Sequence, residues 1–140
     1  EFEDNSFDNV ICVEAPFHFQ TREAFMLEVM RVLKPGGRLV ISDILGRQTK
    51  ATRANKLKNI GAYNGLMARC GFQNREIVET TKESLDAFAH YISHWASGER
   101  RAGRMSLLPS LRLSAGSHLY ALFMHIVHSH YLLAVGQKPA

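Results

Sequence analysis

Several common signals are scarce or absent in this sequence. Only two cysteines, Cys12 and Cys70, occur among its 140 residues, which excludes a disulfide-rich secreted fold. Both lie in apolar patterns, so we interpret them as buried free thiols and expect a cytoplasmic protein. The first residues are acidic and polar and contain no apolar segment of a signal peptide. The composition, 46% hydrophobic and 21% charged, is that of one ordinary globular domain.

Acidic residues are missing from two long stretches, one between Asp43 and Glu76 and the other after Glu99. Both stretches contain arginines and lysines, and the formal net charge is +4. Such blocks can attract nucleic acid, anionic lipid or an anionic substrate. No nucleic-acid motif accompanies them, and aromatic residues do not alternate with the basic ones. We therefore predict no nucleic-acid partner and interpret the basic blocks as a solvated or subunit-facing surface.

No uninterrupted hydrophobic run is long enough for a membrane span. The stretch from 119 to 135 is nearly apolar, but His125, His128, Ser129 and His130 interrupt it. A span needs about 20 consecutive apolar residues. The sequence therefore predicts no membrane span.

The first 45 residues predict a βαβ unit. The apolar run at 10–13 is typical of a strand buried on both faces. Thr21 is the predicted N-cap of an amphipathic helix whose polar residues, including Arg22, point outward. A turn at 36–37 then leads into a second strand at 39–41.

The remaining elements are predicted from periodicity and from helix-ending signals. A polar, basic loop or frayed helix is predicted at 46–58, and Gly71 is predicted to end the next helix as a left-handed cap. The chain is predicted to break around 97–98. The other expected elements are helices at 62–70, 85–95 and 107–127, and strands at 72–81 and 131–135.

Three segments follow one another along the first part of the chain. They are FEDNSFDNV at 2–10, EAPFHF at 14–19 and RVLKPGGRL at 31–39. Together they strongly resemble the class I S-adenosylmethionine-dependent methyltransferases, and within these the branch that acts on small molecules. ARCGF at 68–72 and the segment 130–139 resemble later parts of the same family. The resemblance implies an α/β fold, the C-terminal half of a Rossmann-like methyltransferase sheet. It would hold strands four to seven, the last antiparallel, with extra lid helices between strands six and seven.

The resemblance also implies a single partial domain. Its parts would be a βαβαβ core portion at 1–83, a substrate-covering helical insertion at 84–128 and a final strand at 129–140. The family's glycine-rich cofactor turn after a strand is absent, because the glycines at 36–37 follow a helix. We therefore expect three βα units, about 90 residues, to be missing upstream. The chain alone would then lack most of the S-adenosylmethionine pocket and be inactive.

Candidate site residues follow the first two predicted strands, where ligands bind in open α/β sheets. His18 is the candidate general base, because imidazole titrates near neutral pH, and Asp43 is the candidate residue that orients it. From their place just past the first strand, we assign Glu14 and Ala15 to the cofactor, with contact to the substrate edge left open for Glu14, and Phe17 to the acceptor. The structural alternatives are a loop-capping role for His18, a turn-capping role for Asp43 and amide orientation by Glu14.

A second group of candidates lies in the predicted helix at 85–95. His90, Tyr91 and His94 would line the acceptor chamber, with packing at the edge of the core as the alternative. His90 and His94 are four residues apart and could hold zinc, but no H-E-x-x-H glutamate and no obvious third ligand accompany them. We therefore predict no metal site.

The resulting functional hypothesis is methyl transfer from S-adenosylmethionine to a small hydrophobic acceptor, by O-methylation, in a longer parent protein. The alternative is a non-catalytic methyltransferase-like interaction subunit that pairs through its open sheet edge. Because an open edge and an uncovered apolar face promote association, we expect a homo-oligomer or pairing with the missing N-terminal half.

Overall fold

A computed structural model describes residues 2–46 and 55–140, without the side chains of 128 and 129. The chain forms two compact units, one of Glu1–Glu79 with Ser129–Ala140 and the other of Thr80–His128. The first unit contains β1 (Phe7–Val13), a short 3₁₀ turn (Pro16–His18), α1 (Arg22–Val32), β2 (Leu33–Gly46), α2 (Ile60–Arg69), β3 (Gln73–Glu79) and β4 (His128–Gln137). The second contains a π-helical turn (Lys82–Asp86), α3 (Ala87–Arg101) and α4 (Leu107–Val127). The predicted loop at 46–58 lies mostly outside the described residues.

The first unit is built on a mixed sheet with the strand order β1-β2-β4-β3. β1 and β2 are parallel, with Val10 opposite Leu39 and Val13 opposite Ser42. β3 and β4 are antiparallel. The last strand in the chain therefore lies between two earlier ones, and the α/β expectation is confirmed.

The caps explain where the helices of this unit begin and end. Thr21 accepts a hydrogen bond from the Ala24 amide over 3.0 Å, and Asn59 caps α2 in the same way through Ala62 at 2.9 Å. α2 ends before Gly71, whose φ of +94° belongs to the left-handed region. A side chain is strained there, so glycine is favoured after a helix. The predicted N-cap at Thr21 and the predicted glycine cap are confirmed.

The expected turn at 36–37 lies inside β2 rather than before it. β2 starts at Leu33, directly after α1, and its pairing with β1 shifts between Phe7 and Asn9. Phe7 lies opposite Leu33 but Asn9 lies opposite Arg38, so the intervening residues of β2 bulge out. A β-bulge accommodates extra residues without ending the strand.

The predicted break around 97–98 is wrong, because α3 runs through both residues to Arg101. A buried contact with α4 supports the helix here, since the Ser110 hydroxyl donates to the Ala96 carbonyl over 3.1 Å. The helix ends at Ala102 and Gly103, and the φ of Gly103 is +72°. The glycine that ends α3 is therefore Gly103 and not Gly98.

The core of the first unit lies on one face of the sheet. It joins side chains of both central strands to α1 and α2, including Met26, Leu33, Leu39, Ile41, Tyr63, Met67, Phe72 and Leu132. The opposite face of the sheet carries exposed apolar side chains. Ile11 and its neighbour Val40 are 71% and 37% exposed, and the paired Val78 and Leu133 are each 47% exposed.

Two further properties bear on the sequence expectations. Cys12 and Cys70 are buried free thiols, and burial raises the pKa of each. Within residues 2–46 and 55–140, no helix combines the length and the apolar character that crossing a membrane requires.

Gly136 provides a test of how tightly this core packs. A Cβ at this position would lie 2.7 Å from Met67 Cε and 3.1 Å from Phe72 Cβ. We expect Gly136→Ala to lower the free energy of unfolding by about 1–3 kcal/mol, the usual cost of overpacking. Urea denaturation would measure it, with Gly65→Ala in α2 as the control, because a Cβ there meets only Arg69 Nη1 at 3.6 Å. Equal stability of the two variants would contradict the tight packing at Gly136.

Candidate functional site

The carboxyl end of β1 is followed by a fixed turn. β1 ends at Val13, and the next residue, Glu14, has a φ of +50°. Its amide donates to the carbonyl of Ser42 on β2 over 3.0 Å and is also 3.1 Å from the Ser42 hydroxyl. Left-handed backbone at a residue other than glycine persists only where the surroundings hold it, and it is common at functional sites. Glu14 is therefore a fixed point at the edge where α/β sheets bind ligands.

A buried ion pair lies directly beside this edge. Asp43 of β2 is 0% exposed, and Arg22, the first residue of α1, is 1% exposed. Arg22 Nε donates to Asp43 Oδ2 over 2.6 Å, and Nη2 donates to Oδ1 over 2.9 Å. Such two-pronged pairing fixes both side chains in orientation as well as in distance. The expectation that Arg22 points outward is therefore wrong.

The remaining polar groups of this pair are also satisfied. Arg22 Nη2 donates to the Ile44 carbonyl over 3.0 Å, and Nη1 donates to the Asn55 carbonyl. The Ile44 amide donates to Asp43 Oδ1 over 2.7 Å. A buried charge pair is sustained only when its other donors and acceptors find partners, and this one meets that condition.

Asn55 extends the network to the turn after β1. Its side chain is buried, and its Oδ1 accepts from the Arg22 amide over 2.6 Å. Its Nδ2 donates to the Pro16 carbonyl over 2.9 Å and to the Phe19 carbonyl over 3.1 Å. The two carbonyls flank the segment that carries Phe17 and His18. These hydrogen bonds therefore hold that segment in place. We call the three residues Arg22, Asp43 and Asn55 the buried clamp.

Tyr63 of α2 contributes a buried hydroxyl next to the clamp. It is 0% exposed, and its oxygen has no hydrogen-bond partner among the described residues. Burial, together with the nearby charge of Asp43, raises the pKa of this hydroxyl far above its usual range. Tyr63 is therefore neutral at physiological pH.

The sequence-predicted residues of the first unit gather around this turn. His18 and Glu14 are exposed, while Ala15 and Phe17 are half-buried. The Phe17 and His18 rings lie 4.2 Å apart between centroids, and the His18 amide donates to the Ala15 carbonyl over 2.9 Å. Asp43 lies three residues before the end of β2 rather than at its end. No hydrogen bond between described residues joins His18 to Asp43, so the predicted support of His18 by Asp43 is not direct.

The other candidates lie in the second unit. His90, Tyr91 and His94 are exposed on α3 and line an open groove along that helix. The His90 ring packs edge-on against His118 of α4 with 5.5 Å between centroids. Their role in acceptor binding stays a prediction. No group of three or more metal-ligating side chains is found in the described ranges 2–46 and 55–140.

Sequence reasoning missed Arg22, Asn55 and Tyr63. A helical wheel places Arg22 with the polar residues of α1, because charged side chains are almost never fully buried unless paired. Its partners lie 21 and 33 positions away along the chain, and periodicity contains no signal of such pairing. The only signal available was the unpaired acid Asp43 in an otherwise apolar strand.

Comparison with known proteins gives matches concentrated in the first part of the chain. A family model described as a methyltransferase domain matches residues 1–41. Methyltransferase GfsG of Streptomyces halstedii is 30% identical over an alignment of length 96 that covers 59% of this chain and 34% of that protein. Phthiotriol/phenolphthiotriol dimycocerosates methyltransferase 1 of Mycobacterium ulcerans is 49% identical over 43 residues, which are 31% of this chain and 16% of that protein.

Solved structures match along the whole chain. Phosphoethanolamine N-methyltransferase 2 of Haemonchus contortus, solved with phosphomonomethylethanolamine and S-adenosylhomocysteine, superposes with a TM-score of 0.69 at 24% identity. The match covers 100% of this chain and 35% of that one. At this identity the likeness establishes the fold alone. The chain thus spans about a third of the length of this structure and of the Streptomyces relative.

Proposed function

We propose that this chain is part of a class I S-adenosylmethionine-dependent methyltransferase, which its similarity to such proteins supports, and that it forms the acceptor-activating part of the enzyme. In this proposal β1, β2, β3 and β4 are strands four, five, six and seven of the family's sheet. The reaction is O-methylation of a small hydrophobic acceptor in a longer parent protein, in the cytoplasm. The observation that carries the proposal is the fixed turn after β1, which presents Glu14 and His18 at the carboxyl edge of the parallel strands.

The residues present fit one side of a cofactor site. The Glu14 amide is held in place by Ser42, and the Ala15 carbonyl accepts from the His18 amide. The Glu14 side chain is exposed. The glycine-rich turn that would form the other side is absent from the sequence. In the proposal Glu14 and Ala15 therefore contact S-adenosylmethionine, and the chain alone is inactive.

The chemistry assigned to this chain is proton removal and positioning. When bound, S-adenosylmethionine would supply an electrophilic methyl group, and its sulfur–carbon bond would break to leave S-adenosylhomocysteine. The exposed imidazole of His18 accepts the proton of the acceptor hydroxyl, so that the oxygen can form its new bond to carbon as the proton leaves. Phe17 provides an apolar surface beside His18 for the body of the acceptor. The groove-lining His90, Tyr91 and His94 are proposed as further acceptor contacts.

Asp43 supports His18 indirectly in this proposal. Both of its oxygens already accept hydrogen bonds from Arg22 or from the Ile44 amide. Its contribution passes through Arg22 and Asn55 to the carbonyls of Pro16 and Phe19. Asp43 is therefore a positioning residue, and a catalytic group placed on such a support stays within the narrow geometry that proton transfer requires.

Calorimetric titration with S-adenosylmethionine tests this function. We expect no saturable binding of S-adenosylmethionine to the 140-residue chain. The product of the complete reading frame that contains it should bind with a free energy of about −8 kcal/mol, which corresponds to micromolar affinity. Transfer of a labelled methyl group to a hydroxylated acceptor would then identify the reaction. Tight binding to the chain alone would contradict the proposed division of the cofactor site. Failure of the complete product to bind would contradict the enzymatic function.

A second candidate function rests on the sheet face that carries exposed apolar side chains. Ile11, Val40, Val78 and Leu133 expose apolar surface, and β1 is an edge strand whose outer side is free in the described sheet. Both features favour a non-catalytic subunit that pairs with a second copy or with another chain. Light scattering in the same experiment separates the two functions. A stable dimer that binds no cofactor in any context supports the interaction subunit.

A further inference from the structure

The second unit ends in a surface that combines positive charge with exposed leucines. We call it the basic tip and define it as residues 100–113, the segment that joins α3 to α4 and continues into the first turns of α4. Its side chains are of two kinds. They are the exposed arginines Arg100, Arg101, Arg104 and Arg112 and the exposed leucines Leu107, Leu108, Leu111 and Leu113.

Local hydrogen bonds bring these residues to one end of the α3–α4 hairpin. The Gly103 amide donates to the Arg100 carbonyl over 3.1 Å, and the Arg104 amide donates to the Glu99 carbonyl over 3.0 Å. The connection is therefore a tight turn. The buried Ser110 hydroxyl bonds to the Ala96 carbonyl, so the start of α4 lies beside the last turns of α3. The two kinds of side chain consequently share one small surface.

The charge on the basic tip is largely uncompensated. Arg104 pairs with Glu99 through two contacts of 2.7 Å. In the described part of the chain, no carboxylate lies within ion-pair distance of Arg100, Arg101 or Arg112. No acidic residue occurs after Glu99. The surface is therefore a net positive patch.

The other acids of this unit lie at the opposite end of the hairpin. Glu83 and Asp86 belong to the π-helical turn that precedes α3. Asp86 is 2.8 Å from His125 near the end of α4, and the hydrogen bond from His125 lowers the pKa of this carboxyl. The hairpin therefore has two of its three carboxylates at the base and its unpaired arginines at the tip, where Glu99 is already paired with Arg104.

Three leucines of the basic tip have more than half of their surface exposed to solvent. Leu107, Leu108 and Leu111 are 56%, 58% and 55% exposed. The outward face of α4 continues this apolar surface through Leu119, Leu122 and Ile126, which are 57–66% exposed. Exposed leucine next to unpaired arginine is the composition of segments that lie in the interface of a bilayer. The arginine stems can remain in the apolar layer while their guanidinium groups reach the phosphates.

We propose that the basic tip binds the surface of an anionic lipid bilayer. Leu107, Leu108 and Leu111 enter the interfacial layer, and Arg100, Arg101 and Arg112 contact lipid phosphates. Binding is peripheral, since no described helix is suited to crossing the membrane. Two copies of the tip do not form an alternative pair, because their uncompensated positive charges repel each other. This inference stands independently of the proposed methyltransferase function.

Co-sedimentation of the 140-residue chain with lipid vesicles tests the proposal. We expect binding to vesicles of phosphatidylcholine with phosphatidylglycerol and little binding to phosphatidylcholine alone. Replacing Arg100, Arg101 and Arg112 by glutamine should weaken binding by about fivefold for each arginine removed. Leu108→Ser with Leu111→Ser should also weaken it, because less apolar area is then buried. Added salt should weaken the binding of the unmodified chain.

The matched control is Lys82→Gln, which removes one positive charge at the opposite end of the hairpin. It should leave vesicle binding unchanged, and circular dichroism should confirm that every variant is folded. Equal binding to neutral and anionic vesicles would overturn the proposal, as would an equal loss of binding in Lys82→Gln. A chain that binds neither kind of vesicle also overturns it, whether it is monomeric or dimeric by light scattering.

Discussion

Arg22→Met should lower the free energy of unfolding of the sheet unit by about 3–5 kcal/mol, the usual loss when one partner of a buried ion pair is removed. The carboxylate of Asp43 would remain at 0% exposure with only the Ile44 amide as a described donor. The Asn55 carbonyl would lose its Arg22 donor as well. Urea denaturation followed by circular dichroism would measure the difference.

Two further variants make this result specific to the buried clamp. Arg31→Met removes another arginine of α1 that pairs with two acids, Asp4 and Glu28, but its side chain is 36% exposed. Its effect should be small, because water screens exposed pairs. Arg22→Met combined with Asp43→Leu should recover much of the stability lost in the single variant, since no buried charge remains. A single variant as stable as Arg31→Met would contradict the clamp.

Under the proposed function, His18→Ala is expected to lower kcat by about 10²–10⁴-fold in the product of the complete reading frame, the usual contribution of a general base. Affinity for S-adenosylmethionine should not change, because the residues proposed to contact the cofactor are Glu14 and Ala15. Before the substitution kcat should fall towards acidic pH, because a protonated imidazole cannot accept the proton of the acceptor hydroxyl. The variant should lack that acidic limb.

The pH profile distinguishes a base from a residue that merely holds the turn. Asn55→Ala loosens the Pro16 and Phe19 carbonyls and should lower kcat while keeping the acidic limb. His125→Gln, at an exposed histidine on α4, serves as the control for removing an imidazole elsewhere. An unchanged kcat in His18→Ala would assign His18 the loop-capping role.

Much of the first unit could be predicted because its signals are local. The apolar run at 10–13, the Thr21 cap and the Gly71 cap each depend on residues within a few positions of one another, and the structure contains the strand and both caps. The predicted burial of that strand on both faces is wrong, because Ile11 and Val13 are 71% and 68% exposed. The extent of β2 could not be predicted in the same way. A proline and two glycines ordinarily end regular structure, yet pairing with β1 keeps this segment in the sheet as a bulge.

Only the outline of the candidate site could be predicted. The positions of Glu14 and His18 follow from the rule that ligands bind where parallel strands end, and both residues directly follow a recognisable strand. The partners of Asp43 do not follow from any local rule, because the ion pair and Asn55 join segments that are distant in sequence. Gly98 shows the same limit for α3, where a tertiary contact through Ser110 sustains a helix that its glycine would weaken.

The position of β4 in the sheet constrains when this protein can finish folding. β3 is hydrogen-bonded to β4 in the described sheet, and β4 occupies the last part of the chain. During synthesis β3 therefore lacks its partner strand until the ribosome has added the whole α3–α4 hairpin, at about 5–20 residues per second. The hairpin depends on contacts close in sequence and can form in that interval. A premature stop codon before residue 128 would leave β3 without its partner and would expose a strand edge to aggregation.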